Sequence, residues 1–373
     1  MTDRHYDEQS PLAAADDFMI HQTPDPLRTV YSTDPRFFER HWNVFHDDRG
    51  EVMVATGGSF YPNLDVAEAY AIVTLRGVQT SVRSYRRLGA DRMNLHVGPV
   101  RPTIVEGLRH WHHELADNDW GVTYSIDFTD SRRQVYQAVY GSLDHASPAF
   151  SQRHVNAGFE SFGQVQGWVQ VGRERLELRP GHCRGTRDRH WGIGRGIGGP
   201  ALHFGDRPHK AGWVGGVWIE FSDVAIWGNR VLYHFGDARP GAGRVTAVQR
   251  RLRFEPDTRI FTEGEIDFTL DRGTLKRVRL QRIGQQTAYM KCGMYGGTPD
   301  GGLHHGMSGG RTGVEGDRYD LSDAAVRLKL RGLDEHHCRV SCDGEQTTGI
   351  LQPLEPDAFE ACERGEPGWS FLD

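Results

Sequence analysis

Short runs in which apolar and polar residues alternate, interrupted by glycine, proline or asparagine, fill most of this chain. Tyr124, Ile126 and Phe128 alternate with Ser125, Asp127 and Thr129, a period of two that predicts a strand with one buried face. Glu51–Thr56, Ala69–Leu75 and Val78–Tyr85 are short β-branched segments between turn residues. Phe162–Gly172 alternates and leads through Arg173-Glu174-Arg175 into Leu176 and Leu178, which predicts a hairpin. Gly212–Phe221 is more continuously apolar, as a central strand would be. Ile266, Phe268 and Leu270 precede the turn Asp271-Arg272-Gly273, after which Val278 and Leu280 resume the pattern. Helical signals are few. Asp34–Phe38 reads as a capped helical turn with Pro35 in the first position, and Pro356–Arg364 reads as a helix. Strands at about ten-residue spacing are the signature of sandwiches and barrels, so the expected class is all-β.

The first 30 residues, acidic and proline-bearing, read as an arm. Ser142–Ser151 breaks the strand pattern and predicts a boundary between a β-domain over 31–150 and another over 151–373. Gly293–Gly313 is a long glycine-rich loop, of the kind that is usually mobile or functional. The chain has 373 residues, room for two domains, and its net charge of −6 excludes a polycationic nucleic-acid binder. No apolar run is long enough for a transmembrane helix. The polar start MTDRHYDEQSP predicts no secretory signal, and the five cysteines, odd in number and sparse, fit a reducing cytoplasm.

The densest polar cluster runs from Gly181 to Gly192. In an extended segment Asp188 and His190 share one face, and Arg187, Arg189 and Trp191 share the other. Asp188 and His190 then form either an acid–base pair or part of an ion-pair network with the flanking arginines. On the strand ending at Ser222, Trp218 and Glu220 share a face. A carboxyl beside an indole in an apolar cup retains its proton to higher pH. Trp213 stands just upstream, and Tyr61, in Phe60-Tyr61-Pro62-Asn63, heads a third group with Arg83, Arg86 and Arg87. The histidine pairs at 112–113, 304–305 and 336–337 lack zinc-ligand spacing, and adjacent histidines on a strand point to opposite faces. No metal and no cofactor is therefore expected.

Arg187-Asp188-Arg189-His190-Trp191-Gly192 resembles the Asp-His-Asn-Trp-Gly signature of the carotenoid 1,2-hydratase (hydroxyneurosporene synthase)/AttH-like superfamily. HQTPDP, FYPN and HVGPVRPT in the first half look like its uncharacterised bacterial branch. Asp188 and Trp191 match the motif; its histidine falls on Arg189, with His190 one step further along. The resemblance implies two tandem lipocalin-like β-barrels or sandwiches with a pocket between or within them. An aromatic-x-acid pair of the family corresponds to Trp218 and Glu220. The reading that follows is a cofactor-independent acid–base lyase or isomerase. It would hydrate, dehydrate, shift a double bond in, or cyclise a hydrophobic terpenoid, steroid or polyketide-like molecule. Asp188, His190 and Glu220 would carry the chemistry. Arg187, Arg189, Trp191, Trp218, Tyr61 and Trp213 would hold the substrate. A lipocalin-like carrier of the same ligand and a carbohydrate-active β-sandwich protein are the competing readings.

Overall fold

The computed structural model describes residues 14–17, 19–22, 24–132, 134–139, 156–194, 197, 216–222, 224–227, 231–234, 245–271, 273–295, 298–353, 355 and 357–373. The architecture is all-β, as expected: two curled sheets and few short helices. Eleven strands come first: β1 (Phe37–Asp47), β2 (Val52–Tyr61), β3 (Val66–Leu75), β4 (Val78–Arg87), β5 (Val100–Glu106), β6 (His110–Leu115), β7 (Val122–Asp130), β8 (Val135–Val139), β9 (Asn156–Val171), β10 (Glu174–Leu178) and β11 (Cys183–Ile193). Then follow β12 (Gly216–Glu220), β13 (Val224–Trp227), β14 (Val231–His234), β15 (Val245–Phe254), β16 (Phe261–Leu270), β17 (Leu275–Tyr289) and β18 (Gly313–Asp320). Helix α1 (Ala324–Leu330) precedes β19 (Asp334–Cys342) and β20 (Glu345–Gln352), and α2 (Asp357–Glu363) precedes β21 (Trp369–Phe371).

The first sheet runs β18-β4-β3-β2-β1-β11-β9-β7-β6-β5, with β8 and β10 also pairing with β9; the second runs β14-β13-β12-β20-β19-β17-β16-β15-β21. The change of sheet therefore falls between Ile193 and Gly216, not near residue 150, since β9–β11 complete the first sheet. A second exchange occurs later. After β17 the chain crosses back through the glycine-rich segment, and β18 pairs with β4 before α1 returns it to β19. The hairpin β9–β10 and the helix α2 lie where the pattern predicts them. Asp34–Phe38 does not form a helical turn. Asp34 Oδ1 instead accepts the backbone N–H of Arg36 at 2.8 Å in an Asx-type turn, and Phe37 already begins β1.

Three apolar cores explain the layering. Phe45, Val54, Ala69, Val73, Tyr124, Ile126 and Phe128 fill the first sheet's concave side. Val217, Ile219, Ile266, Phe268, Val278 and Leu280 fill the second's. The third core, with Trp42, Val44, Met53, Ala55, Tyr70 and Ile72 from the first sheet and Ala288, Tyr289 and Ile350 from the second, joins the two. Strand β3 is buried at every position. Its Ala67, Ala69 and Ala71 face the first core and Tyr70 and Ile72 the joining core. A strand buried on both faces loses the polar alternation that marks a half-buried one.

Candidate functional site

The period of two on β1 sends Trp42 and Val44 into the joining core while Phe45 enters the first sheet's interior. Antiparallel register aligns Trp42 with Asp188 and Arg40 with His190 on β11, and places Glu160 and Gly158 of β9 beside those two. One face of three adjacent strands thus gathers Arg40, Trp42, Asp188, His190 and Glu160. His190 Nδ1 lies 3.4 Å from Asp188 Oδ2, and its Nε2 lies 3.7 Å from Glu160 Oε1. From the second sheet, Trp218 Nε1 donates to Glu160 Oε2 at 2.9 Å. The Trp218 ring sits 4.8 Å from that of Trp42. Gly158 makes this packing possible: a Cβ there would overlap His190 Cδ2 and the Arg189 carbonyl.

Further polar groups line the same seam. Glu335 Oε1 on β19 accepts from Gln352 Nε2 at 2.6 Å. The Tyr70 and Tyr295 hydroxyls are 3.4 Å apart. The His305 ring meets Tyr295 edge-on, with Nδ1 3.3 Å from Glu68 Oε2. Gly306 N–H also donates to Glu68, at 3.0 Å to Oε2, which ties the glycine-rich segment to β3.

The electrostatics separate two of these groups. Burial pushes the Glu160 carboxyl well above the usual carboxylate range. The neighbouring Asp188 charge adds to this, against the opposing Trp218 N–H and Arg40. Burial holds the His190 imidazole below its ordinary value, Asp188 opposing and Arg40 and Arg189 assisting. Glu335 is pushed up to about 8, again chiefly by burial. A protonated carboxyl and a neutral imidazole in contact make a donor and an acceptor of protons. The side chain of His190 is 24% exposed against 9% for Glu160 and 11% for Asp188, so the imidazole is the most accessible of the three. Asp188 Oδ1 is buried without a hydrogen-bond partner. Glu160, Asp188 and His190 also offer one ligand atom each within 4.8 Å of one another, a set that can hold a metal ion, although Arg40 lies close to Asp188.

Of the residues singled out from the sequence, Asp188 and His190 meet on one face, and Trp218 joins them through Glu160. Glu220 does not. Its Oε1 accepts from Ser131 Oγ at 2.8 Å and from Arg132 Nε at 3.4 Å, so it ties β12 to the end of β7. Arg187 points into the first sheet's interior, 1% exposed, with Nη2 2.6 Å from Asp130 Oδ2 and its guanidinium over Trp111 and Phe159. Arg189 pairs with Glu39 at 2.6 Å on that side, where Glu39, His41 and Trp111 line a small cleft with it. Trp191, half-buried, shares the face of Arg189 by its register opposite Glu39. Neither arginine flanks Asp188 in space; Arg40 takes that place. Tyr61 is buried on the seam side with Phe38, its ring 6.3 Å from His305. Arg83 pairs with Glu315 and Asp317 on β18. Trp213 lies outside the described residues. Glu160, Arg40 and Trp42 carry no signal of their own in the sequence, because each comes from a strand whose neighbours only the register reveals, and Glu335 stands out there only as the neighbour of the 336–337 histidine pair.

Residues 12–226, more than half of the chain, match the model of a family of unknown function, DUF8625. The chain belongs to this family. β1, β9, β11 and β12, which carry Arg40, Trp42, Glu160, Asp188, His190 and Trp218, all fall within the matched span. No curated protein matches the chain in sequence. Among solved structures the chain is similar to the crystal structure of kievitone hydratase from Nectria haematococca, with a TM-score of 0.48 and 9% identity over 87% of this chain and 92% of that one. It is also similar to the crystal structure of CghA, with a TM-score of 0.43 and 12% identity over 86% and 88%.

Proposed function

We propose that this member of the DUF8625 family is a cofactor-independent acid–base lyase or isomerase acting on a hydrophobic small molecule. The reaction adds or removes water, shifts a double bond or closes a ring. The observation that carries this reading is the contact between Glu160 and His190, two groups driven toward opposite protonation preferences beside two indoles. Glu160 in its neutral form delivers a proton to an alkene or a hydroxyl. His190 in its neutral form takes one from carbon or from attacking water. Asp188, 3.4 Å away, orients the imidazole and steadies it once protonated. The Trp42 and Trp218 faces steady positive charge that develops on carbon between the two steps. The apolar side chains beside the cluster, Trp42, Met53, Ile72 and Ile350 among them, suit a terpenoid, steroid or polyketide-like skeleton. The five cysteines are unpaired and buried, which fits a cytoplasmic setting.

The test is solvent-proton transfer. The protein is incubated in deuterated water with a panel of unsaturated and hydroxylated terpenoids, steroids and polyketide-like compounds, and each compound is recovered and weighed by mass spectrometry. Deuterium in at least one compound, absent with Glu160→Gln, supports the reading. Tight binding with every compound recovered unlabelled and unchanged overturns it in favour of a carrier.

A further inference from the structure

Away from the seam cluster, the second sheet contains another carboxylate–histidine group with no part in the chemistry above. Asp334 and His336 sit two apart on β19, so their side chains share a face, and Glu355 comes from the segment between β20 and α2. Asp334 and His336 are fully buried and Glu355 is 2% exposed. One ligand atom from each of the three lies within 4.8 Å of the other two. Half of each carboxyl is satisfied: Asp334 Oδ2 accepts the Gly332 N–H at 3.1 Å, and Glu355 Oε1 accepts the Phe261 N–H. The other half is bare. Asp334 Oδ1 and Glu355 Oε2 are buried without a partner, and so is the Tyr289 hydroxyl. Antiparallel register places Tyr289 of β17 directly opposite Asp334 of β19, and Thr287 opposite His336, so these side chains share one buried face. Two carboxyls within reach of each other and an unpartnered phenol in one dry place are costly unless a proton or an ion is held between them.

We infer that Asp334, His336, Glu355 and Tyr289 form a structural site for a divalent transition-metal ion, Zn²⁺ or Mn²⁺. Two carboxylate oxygens, a phenol oxygen and one imidazole make a mixed oxygen–nitrogen donor set that suits these ions rather than a thiolate-seeking one. The imidazole is oriented as a ligand would be. His336 Nδ1 is 2.9 Å from Thr287 Oγ1 on β17, leaving Nε2 to face Glu355 at 3.3 Å. The nearby arginines do not fill the place: Arg282 and Arg327 both reach Glu255, the latter at 2.8 Å. Complete burial leaves no position open to substrate, which marks a structural ion rather than a catalytic one. The ion would pin β17 and β19 to the segment that leads into α2.

The competing occupant is a single proton shared between Asp334 and Glu355, and one set of measurements separates the two. Full-length protein purified without chelator is analysed for metals by plasma mass spectrometry and melted before and after dialysis against a strong chelator, then after addition of ZnCl₂ or MnCl₂. The expected result is close to one ion per chain, a melting temperature lowered by at least about 5 °C on its removal, and recovery on re-addition. Asp334→Asn and Tyr289→Phe should hold the ion more weakly, read as metal content in soluble protein. Metal-free protein whose melting temperature ignores both chelator and added ion overturns the proposal. So does an Asp334→Asn variant as stable as the parent, since an amide can replace a shared proton but not an anionic ligand.

Discussion

The two faces of β11 carry the same kinds of residue to opposite ends. On the inner face, Arg187 and Asp130 neutralise each other at 2.6 Å inside a cage of aromatic rings. On the outer face, Asp188, His190 and Glu160 stand within ion-pair distance, yet Asp188 Oδ1 has no partner and Glu160 is driven toward its neutral form. The inner pair is closed: Asp130 accepts from both Arg187 and Ser161, although burial still raises its carboxyl, and removing Arg187 leaves the aspartate without its counter-charge. The outer group, with Arg40 beside Asp188, lies in a seam between two sheets and leaves one carboxylate oxygen without a partner and one carboxyl driven toward its neutral form, which is what the proposed proton transfer would use. Burial alone therefore does not distinguish a structural charge from a working one; the pairing does.

That contrast can be broken most sharply at Arg187. Arg187→Met leaves Asp130 buried and unpaired, and should cost about 3–5 kcal/mol, read as a large fall in the urea midpoint. A stability near that of the parent would mean that Asp130 finds water or another partner. On the outer face, Glu160→Gln keeps an oxygen for the Trp218 N–H but removes the acid. It should lower turnover of any substrate found by about 10²- to 10⁴-fold while the melting curve stays close to the parent's.

On either face the buried histidine and the buried carboxyl should titrate in opposite directions. His41, on the inner side, is lowered to about 3 by burial, with Arg189 and Arg187 assisting. A depressed folded value means that its contribution is present above the unfolded value of about 6.5 and lost as pH falls toward 3, on the order of a few kcal/mol. His41→Gln should flatten that acid limb in unfolding free energies measured from pH 7 to pH 4. Glu160 has a raised folded value, so its contribution is present below the ordinary carboxylate range and lost as pH climbs through the raised one. Glu160→Gln should flatten that opposite limb, and parallel profiles for parent and variant would refute the assignment. The smallest effect expected is at Gly158. Gly158→Ala forces the His190 ring off its seat, at about 1–3 kcal/mol, and should lower activity more than it lowers the melting temperature.

What could be read along the chain follows from how far each signal reaches. The shared face of Asp188 and His190 needs only the period of two within one strand, and it holds. The grouping of Trp218 with Glu220 uses the same rule but overreaches, because two residues advance a strand by about 7 Å. That step carries the chain from Glu160, the partner of Trp218, to Ser131, the partner of Glu220. β1 shows no clean alternation because both its faces are buried, one by Phe45 and its neighbours and one by Trp42. Adjacent histidines point to opposite faces of a strand, whereas Asp334 and His336, two apart, share one face and meet a glutamate 19 positions beyond the histidine, a grouping that no local spacing reveals.

Local order alone settled the all-β class, the hairpins and the faces of single strands, since period and turn chemistry act between residues a few places apart. Which carboxyl meets which histidine, where the chain changes sheet, and that β18 returns to the first sheet all depended on register between distant strands. Pairing energies of that kind arise from the match of whole surfaces, and no window of sequence contains both halves of such a match.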